Sequence, residues 1–341
     1  MTWPTGYRPS VKRIVPYVLA GVLAIVLVVV TQAGGGAPSA AEELLEGQQL
    51  KIMAPADPGG GWDGTARQMQ GALQDLTGRS EVYNVGGAGG TIGLSQMAQR
   101  DGQVNQLMVM GLVMVGAIAA NQPDVDLTDV TPIAELTTEP LAIVVPEDSE
   151  IQDVDGLVAA MERNIGSVSW AGGSAGGAEQ ILAGLVAQAA GLDASQVTYI
   201  AHSGGGEAVA TLLSGSASVG LSGVSELLPQ IEAGALRAIA VSGSEPSASL
   251  PDVPTLLDAG LDVELTNWRG VVAPAGLTDE QREGLEELMA DMVETEAWQE
   301  ALEREGWTDA FVAGEEFRSF VRDETARVEK VVADLGIGSV S

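Results

Sequence analysis

The chain has 341 residues, enough for two domains with cores of their own, and 45% of them are hydrophobic. Its 47 acidic against 16 basic side chains leave a net charge of -31, which excludes nucleic acid and anionic lipid as partners because both need basic clusters. Cysteine is absent, so disulfides, thiolate metal sites and a lipid-bearing N-terminal cysteine are excluded as well.

Arg8, Lys12 and Arg13 precede an uncharged run from Ile14 to Val30, and small residues follow up to Ala40. A basic start, an apolar middle and a small-residue end make an export segment. Cleavage near Ala40, imperfect because of Pro38, and retention as a membrane anchor both fit, since the run is close to the shortest membrane span. This segment and its linker occupy residues 1–48, and the remainder is expected outside the cytoplasmic membrane.

Beyond the linker, LKIMAP reads as a short buried strand, after which Ala66, Met69, Leu73 and Leu76 recur at helical spacing. Between them lies PADPGGGWDG, a turn of nearly bare backbone in which Asp63 can cap the helix. The unit repeats as EVYNV, the turn GGAGGTIG and a second helical stretch LSQMAQR. NQLMVMG, LAIVVP, GSVSWAG, QVTYIAH, SVGLSG and RAIAVSG are further strands, most followed by glycine and a helix-compatible stretch. Such alternation predicts an α/β protein with mainly parallel sheets. Near the C-terminus, Thr278 and Gln281 have capping-box spacing, and Phe317, Val321, Val328 and Val332 belong to an apolar helical stripe ended by Gly336.

In parallel sheets ligands gather where strand C-ends meet helix N-termini, because free amides and the helix dipole point there. PGGGWD, GGAGG, GGSAGG and HSGGGE are four such turns, and each also has the plain reading of tight βα geometry. Gly59, Gly61 and Gly64 match a dinucleotide fingerprint, but the second strand ends in Asn84 and Val85 rather than an acid, and no cofactor is expected. Gly172, Ser174 and Gly176 match a nucleophile elbow, with Asp193 and His202 following in hydrolase order. A secreted serine hydrolase using Ser174 and His202 is therefore the alternative function. One histidine without cysteine argues against a zinc site.

Taken in order, APADPGGGWDGTARQM, VYNVGGAGGTIG, VSWAGGSAGGAEQILAGL, VTYIAHSGGGEAVATLLSG and NWRGVVAPAGL resemble the extracytoplasmic solute receptors of tripartite tricarboxylate transporters, the Bug or TctC family, over residues 50–336. The resemblance implies a type II periplasmic-binding-protein fold: two α/β lobes around a ligand cleft, with lobe 1 over residues 49–145 and 268–341 and lobe 2 over 146–267. It implies no enzyme but a monomeric receptor that captures a di- or tricarboxylate, citrate-like, and passes it to one large and one small membrane subunit. The family's ligand loops fall here at Pro58, Gly59, Gly60, Gly61, Trp62 and Asp63, and at Gly87, Ala88, Gly89 and Thr91. In lobe 2 they fall at Gly172, Gly173, Ser174, Ala175 and Gly176, and at His202, Gly204 and Gly205. Arg269, in NWRG, is expected to read an additional carboxylate, with a salt bridge at the lobe hinge as its other role. Arg67 is expected to face solvent or pair locally, Trp62 to wall the pocket or pack in the core, and Asp63 to cap rather than touch an anionic ligand. The chain departs from the family in carrying Val85 and Gly86 where Arg-Pro is common, which bears on ligand identity.

Overall fold

The computed structural model describes residues 40–338, so the expected export or anchor segment lies outside the described residues. Among the described residues no helix is long and apolar enough to cross a membrane. A short helix α1 (Ala40–Leu44) leads into β1 (Lys51–Ala54), whose last three residues are buried and which pairs in parallel with β2 (Glu81–Asn84) and β3 (Gln106–Gly111). Between these strands run α2 (Gly61–Ala72), α3 (Gln74–Thr77) and α4 (Thr91–Met97), and α5 (Leu112–Asn121) follows β3. β3 is buried at every position, because helices cover both faces of a parallel sheet and leave no side for polar residues.

β4 (Val130–Pro146) organises the molecule. Its first part, up to Pro140, pairs with β9 (Thr266–Pro274) and β10 (Thr308–Ala313); its second part, from Leu141, pairs with β7 (Val219–Gly223) and β8 (Leu236–Val241). One continuous strand thus belongs to both sheets. The second sheet is completed by β5 (Ser169–Gly172) and β6 (Thr198–Ala201), parallel to each other, with β5 also parallel to β7. Helices α6 (Val154–Arg163), α7 (Ala178–Ala189), α8 (Gly205–Leu213) and α9 (Val224–Glu232) connect its strands. β9 then returns to the first sheet between β3 and β4. This is the periplasmic-binding-protein fold, two α/β lobes joined by crossing strands.

The expectation of mainly parallel sheets needs correction. Four pairings are parallel and five antiparallel among the described residues, because every pairing made by the crossing strands β4 and β9 is antiparallel. LAIVVP is only the second part of β4, and neither residues 130–140 nor β10 had a strand signature: Pro132, Glu135, Glu139 and Pro140 interrupt the first, and exposed Thr308 and Asp309 open the second.

The C-terminal helices α10 (Asp279–Val293), α11 (Glu296–Glu305) and α12 (Gly314–Asp334) close the molecule. The capping box forms as expected, with the Gln281 amide donating to Thr278 Oγ1 at 3.1 Å and the Thr278 amide to Gln281 Oε1 at 3.1 Å. Such a cap contributes about 1 kcal/mol. α12 lays its apolar stripe on α5 and β4, and Leu335, just past its end, packs against Gly184 of α7. Trp298 and Phe317 are fully buried beneath these helices.

Candidate functional site

A cavity of about 390 Å³ opens between the lobes, and all four Gly-rich turns reach it. From lobe 1 come Gly60, Gly61 and Trp62 at the start of α2, and Gly87, Ala88 and Gly89 ahead of α4; from lobe 2 come Gly173, Ser174 and Ala175 ahead of α7, and His202, Gly204 and Gly205 at the start of α8. Arg269 of β9 lies at the base. The N-cap positions Gly60 and Gly204 provide no side-chain cap, so the positive dipole ends of α2 and α8 point to the cavity, although the Gly205 amide of α8 is taken by Glu226. Residues 87–90 all have positive φ, including Ala88 at 51°. That run requires glycine at three of its four positions, and the one side chain tolerated there is a methyl group.

Six expected ligand residues do not line the cavity. Pro58 and Gly59 form an exposed tip. Thr91 is buried and donates its hydroxyl to Ala88 O at 2.9 Å, while Gly172 and Gly176 are packed against Tyr199 and against Gly116 and Ala120. Asp63, 4% exposed, turns inward: its carboxylate accepts from the Gly59 amide, Asn84 Nδ2 and Arg67 Nε, each at 2.9 Å. Burial raises its pKa, but these bonds outweigh that and hold it below the usual carboxylate range. Asp63 thereby ties the loop to the helix from the third helical position rather than from the N-cap. Arg67, half exposed, pairs locally with it. Trp62 both lines the cavity and is buried against the core.

The hydrolase arrangement is not assembled. His202 Nδ1 faces Gly172 O at 3.0 Å and Nε2 faces Thr211 Oγ1 at 2.7 Å, so both ring nitrogens are engaged away from Ser174. Asp193 is spent on Ser195 and Gln196 in a turn before β6. Chain order matched a triad, but the intervening strand carries each residue to a different partner.

What sequence reasoning missed is acidic. Glu139 of β4 is 1% exposed and accepts from Arg269 Nη2 through one oxygen and from Ser225 Oγ, at 2.9 Å, through the other. Arg269 therefore makes a buried salt bridge with Glu139, and its guanidinium also lies over the Trp307 ring, 5.1 Å from the centroid. Glu179, in the first turn of α7, and Glu226, in the first turn of α9, also line the cavity. Burial, reinforced by Glu226, pushes the Glu179 carboxyl up to about 7 even though its own backbone amide and Arg269 oppose the rise. Burial and the neighbouring Glu139 raise Glu226 as well, against Arg269, the Ser222 hydroxyl and the Gly205 amide.

These glutamates explain several glycines. A β-carbon on Gly61 would lie 2.7 Å from Glu226 Oε1 and 2.8 Å from Arg269 Nη2; one on Gly173 would lie 3.0 Å from both Glu179 oxygens; one on Gly205 would collide with Glu226 and one on Gly223 with Glu139. Part of the bare backbone thus leaves room for the chain's own charges. Among 47 acids no local signal marks these three; only burial does.

The profile of the "Tripartite tricarboxylate transporter family receptor" matches residues 65–337, most of the chain. The chain belongs to that receptor family. Bordetella pertussis protein BugT is 28% identical over 324 residues, covering 92% of this chain and 97% of BugT. Among solved structures, MatC from Rhodopseudomonas palustris with bound malate superposes with a TM-score of 0.72 at 23% identity, covering 83% of this chain and 98% of MatC. A second R. palustris protein, solved with adipate, superposes with a TM-score of 0.73 at 22% identity over 85% of this chain and 97% of that one. The receptor is accordingly a solute-binding protein and not an enzyme.

Proposed function

We propose that this receptor works outside the cytoplasmic membrane, closes its two lobes on a small organic acid and delivers it to the large and small membrane subunits of a tripartite tricarboxylate transporter. The observation that carries the reading is the convergence of Gly-rich turns from both lobes on one cavity, with the N-terminus of α2 left uncapped by its N-cap glycine. Bare amides hold a carboxylate without a free cation, which suits a chain of net charge -31. Its family, and the malate and adipate bound by two proteins of like fold, support the same ligand class. The basic and apolar N-terminal segment supports export.

Within the di- and tricarboxylates, the geometry favours a dicarboxylate. Arg269 is already paired with Glu139, and Glu179 and Glu226 face the same space, so each further carboxylate on the ligand meets like charge without a new cation. The expected result of a thermal-shift screen against organic acids is stabilisation by small dicarboxylates, about 2.7 kcal/mol at 100 times the dissociation constant. A panel of mono-, di- and tricarboxylates that leaves the melting temperature unmoved would sink the reading.

A further inference from the structure

Behind the crossing strands, on the side away from the cleft, Glu135 of β4 is 7% exposed and borders two cavities, of about 290 and 490 Å³. Its carboxylate has neither an ion pair nor a hydrogen bond among the described residues; burial and the nearby Glu324 both act against its charge, and nothing there favours it. Two ladder irregularities flank the position, one with β9 between Glu135 and Thr137 and one on β10 between Asp309 and Val312, and such bulges re-aim a side chain. Carboxylates buried this deeply are almost always paired, so Glu135 is complementary to a positive charge that no described residue supplies.

The smaller cavity suits a cation with a carbon body. Leu265, Trp268 and Phe320 give it apolar walls, and aromatic faces attract cations. Arg327 also lines it but adds no net charge, because it grips both oxygens of Glu324 at 2.7 Å. Glu264 stands exposed at the rim, and Glu294 and Asp309 border Glu135 from the larger cavity, so every further charged group around Glu135 is acidic. A bare metal ion suits the place poorly: among the described residues no three acidic or histidine side chains are grouped to ligate one, and a hard cation needs about six oxygens. An organic ammonium instead brings carbon to the walls. Glu135 can only accept, and Thr138 and Thr266 add hydroxyl oxygens in the same cavity, so the matching head group carries N–H donors.

We propose that the smaller cavity behind the crossing strands is a second binding site, separate from the cleft, that takes a small primary ammonium compound, with its head group on Glu135 and its carbon chain against Trp268 and Phe320. A space of this size lies at the lower end of small-molecule pockets and holds a chain of a few carbons. An amine there turns a costly lone charge into a buried pair between apolar walls. Because the Glu135 carboxyl by itself titrates at about 7, binding releases a proton near neutral pH and strengthens as pH rises.

Titration calorimetry of the protein with butylamine at pH 8 tests the site, and the expected result is saturable binding of one amine per chain. Affinity should fall about tenfold from pH 8 to pH 6, and at pH 7 the heat should change with the ionisation enthalpy of the buffer as the proton leaves. Glu135→Gln keeps the shape and removes the charge; it should weaken butylamine at least tenfold, whereas Glu179→Gln in the cleft should leave it within twofold. Butan-1-ol should not bind, and tetramethylammonium, which has no N–H, should bind at least tenfold more weakly than butylamine. Absence of saturable butylamine binding would overturn the proposal, as would an affinity unchanged by Glu135→Gln or one lost in Glu179→Gln. Tetramethylammonium or magnesium binding as tightly as butylamine would overturn it too.

Discussion

The crossing strands carry an acid cluster on each side, and the two clusters differ in how their charge is met. Toward the cleft, Glu139 is held by Arg269, while Glu179 and Glu226 have no cation of their own among the described residues. On the opposite side, Glu135 and Glu324 line a second cavity of about 290 Å³ with Trp268, Phe320 and Arg327. There Arg327 of α12 grips both oxygens of Glu324 at 2.7 Å, and Trp268 Nε1 donates to Glu324 at 3.3 Å. Among the described residues Glu135 is the unpaired surplus, its carboxyl pushed up to about 7 by burial and then by Glu324. Strand geometry divides the clusters: Trp268 faces α12, whereas its neighbours Asn267 and Arg269 face the cleft. On β4 a register irregularity between Glu135 and Thr137 adds one residue, so Glu135 and Glu139 point to opposite sides despite their even separation. The back cluster is closed by aromatic packing, with Trp268 edge-on to Phe317 and Phe320 at 6.2 and 5.1 Å. The front cluster is ringed by glycine and opens on the cavity between the lobes.

The largest expected effect comes from removing the cleft's cation. Arg269→Ala leaves Glu139 buried beside two more acids, so unfolding in urea should show a loss of about 3–5 kcal/mol, with ligand affinity falling more than a hundredfold. A loss below about 1 kcal/mol would mean that the pair is not the keystone of the front cluster. Next in size, Gly61→Ala forces a β-carbon onto Glu226 and Arg269; overpacking should cost about 1–3 kcal/mol and weaken binding at least tenfold, whereas an equally placed Gly64→Ala, which meets nothing within 4 Å, should do neither.

The back cluster gives smaller effects and a sign. Glu135 titrates near 4.5 when unfolded and near 7 when folded, so the native state holds a proton that the unfolded chain gives up between those values. Its destabilisation is therefore absent below about pH 4.5, grows as pH rises through 7 and is complete at pH 8. Glu135→Gln should raise stability by about 1–2 kcal/mol at pH 8, hardly at all at pH 4.5, and leave ligand affinity within twofold. Equal melting gains at both pH values would refute the assignment. Smallest of all, Arg327→Ala removes a half-exposed partner and should cost about 0.5–1 kcal/mol, with added salt reducing the difference.

Much of the scaffold was legible because its signals are local. The turns at 58–63, 86–90, 172–176 and 202–206 announce themselves by glycine, and four short stretches of sequence suffice to place bare amides after strands. Thr278 and Gln281 specify their helix start through two bonds within three residues. Arg269 was singled out, yet its engagement with Glu139, 130 positions earlier, has no trace in the motif around it.

The sequence by itself determined that strands and helices alternate, that glycine-rich turns stand at strand ends, that one C-terminal helix begins after Thr278 and that the last one ends before Gly336, because each depends on residues a few positions apart. Only the tertiary structure decided that one long strand serves both sheets, that a bulge turns Glu135 and Glu139 away from each other, and that Glu179 and Glu226 share the floor of the cleft with Arg269. Their meeting depends on crossing strands that bring together segments tens of residues apart, and an acid bound for burial carries the same side chain as one bound for solvent.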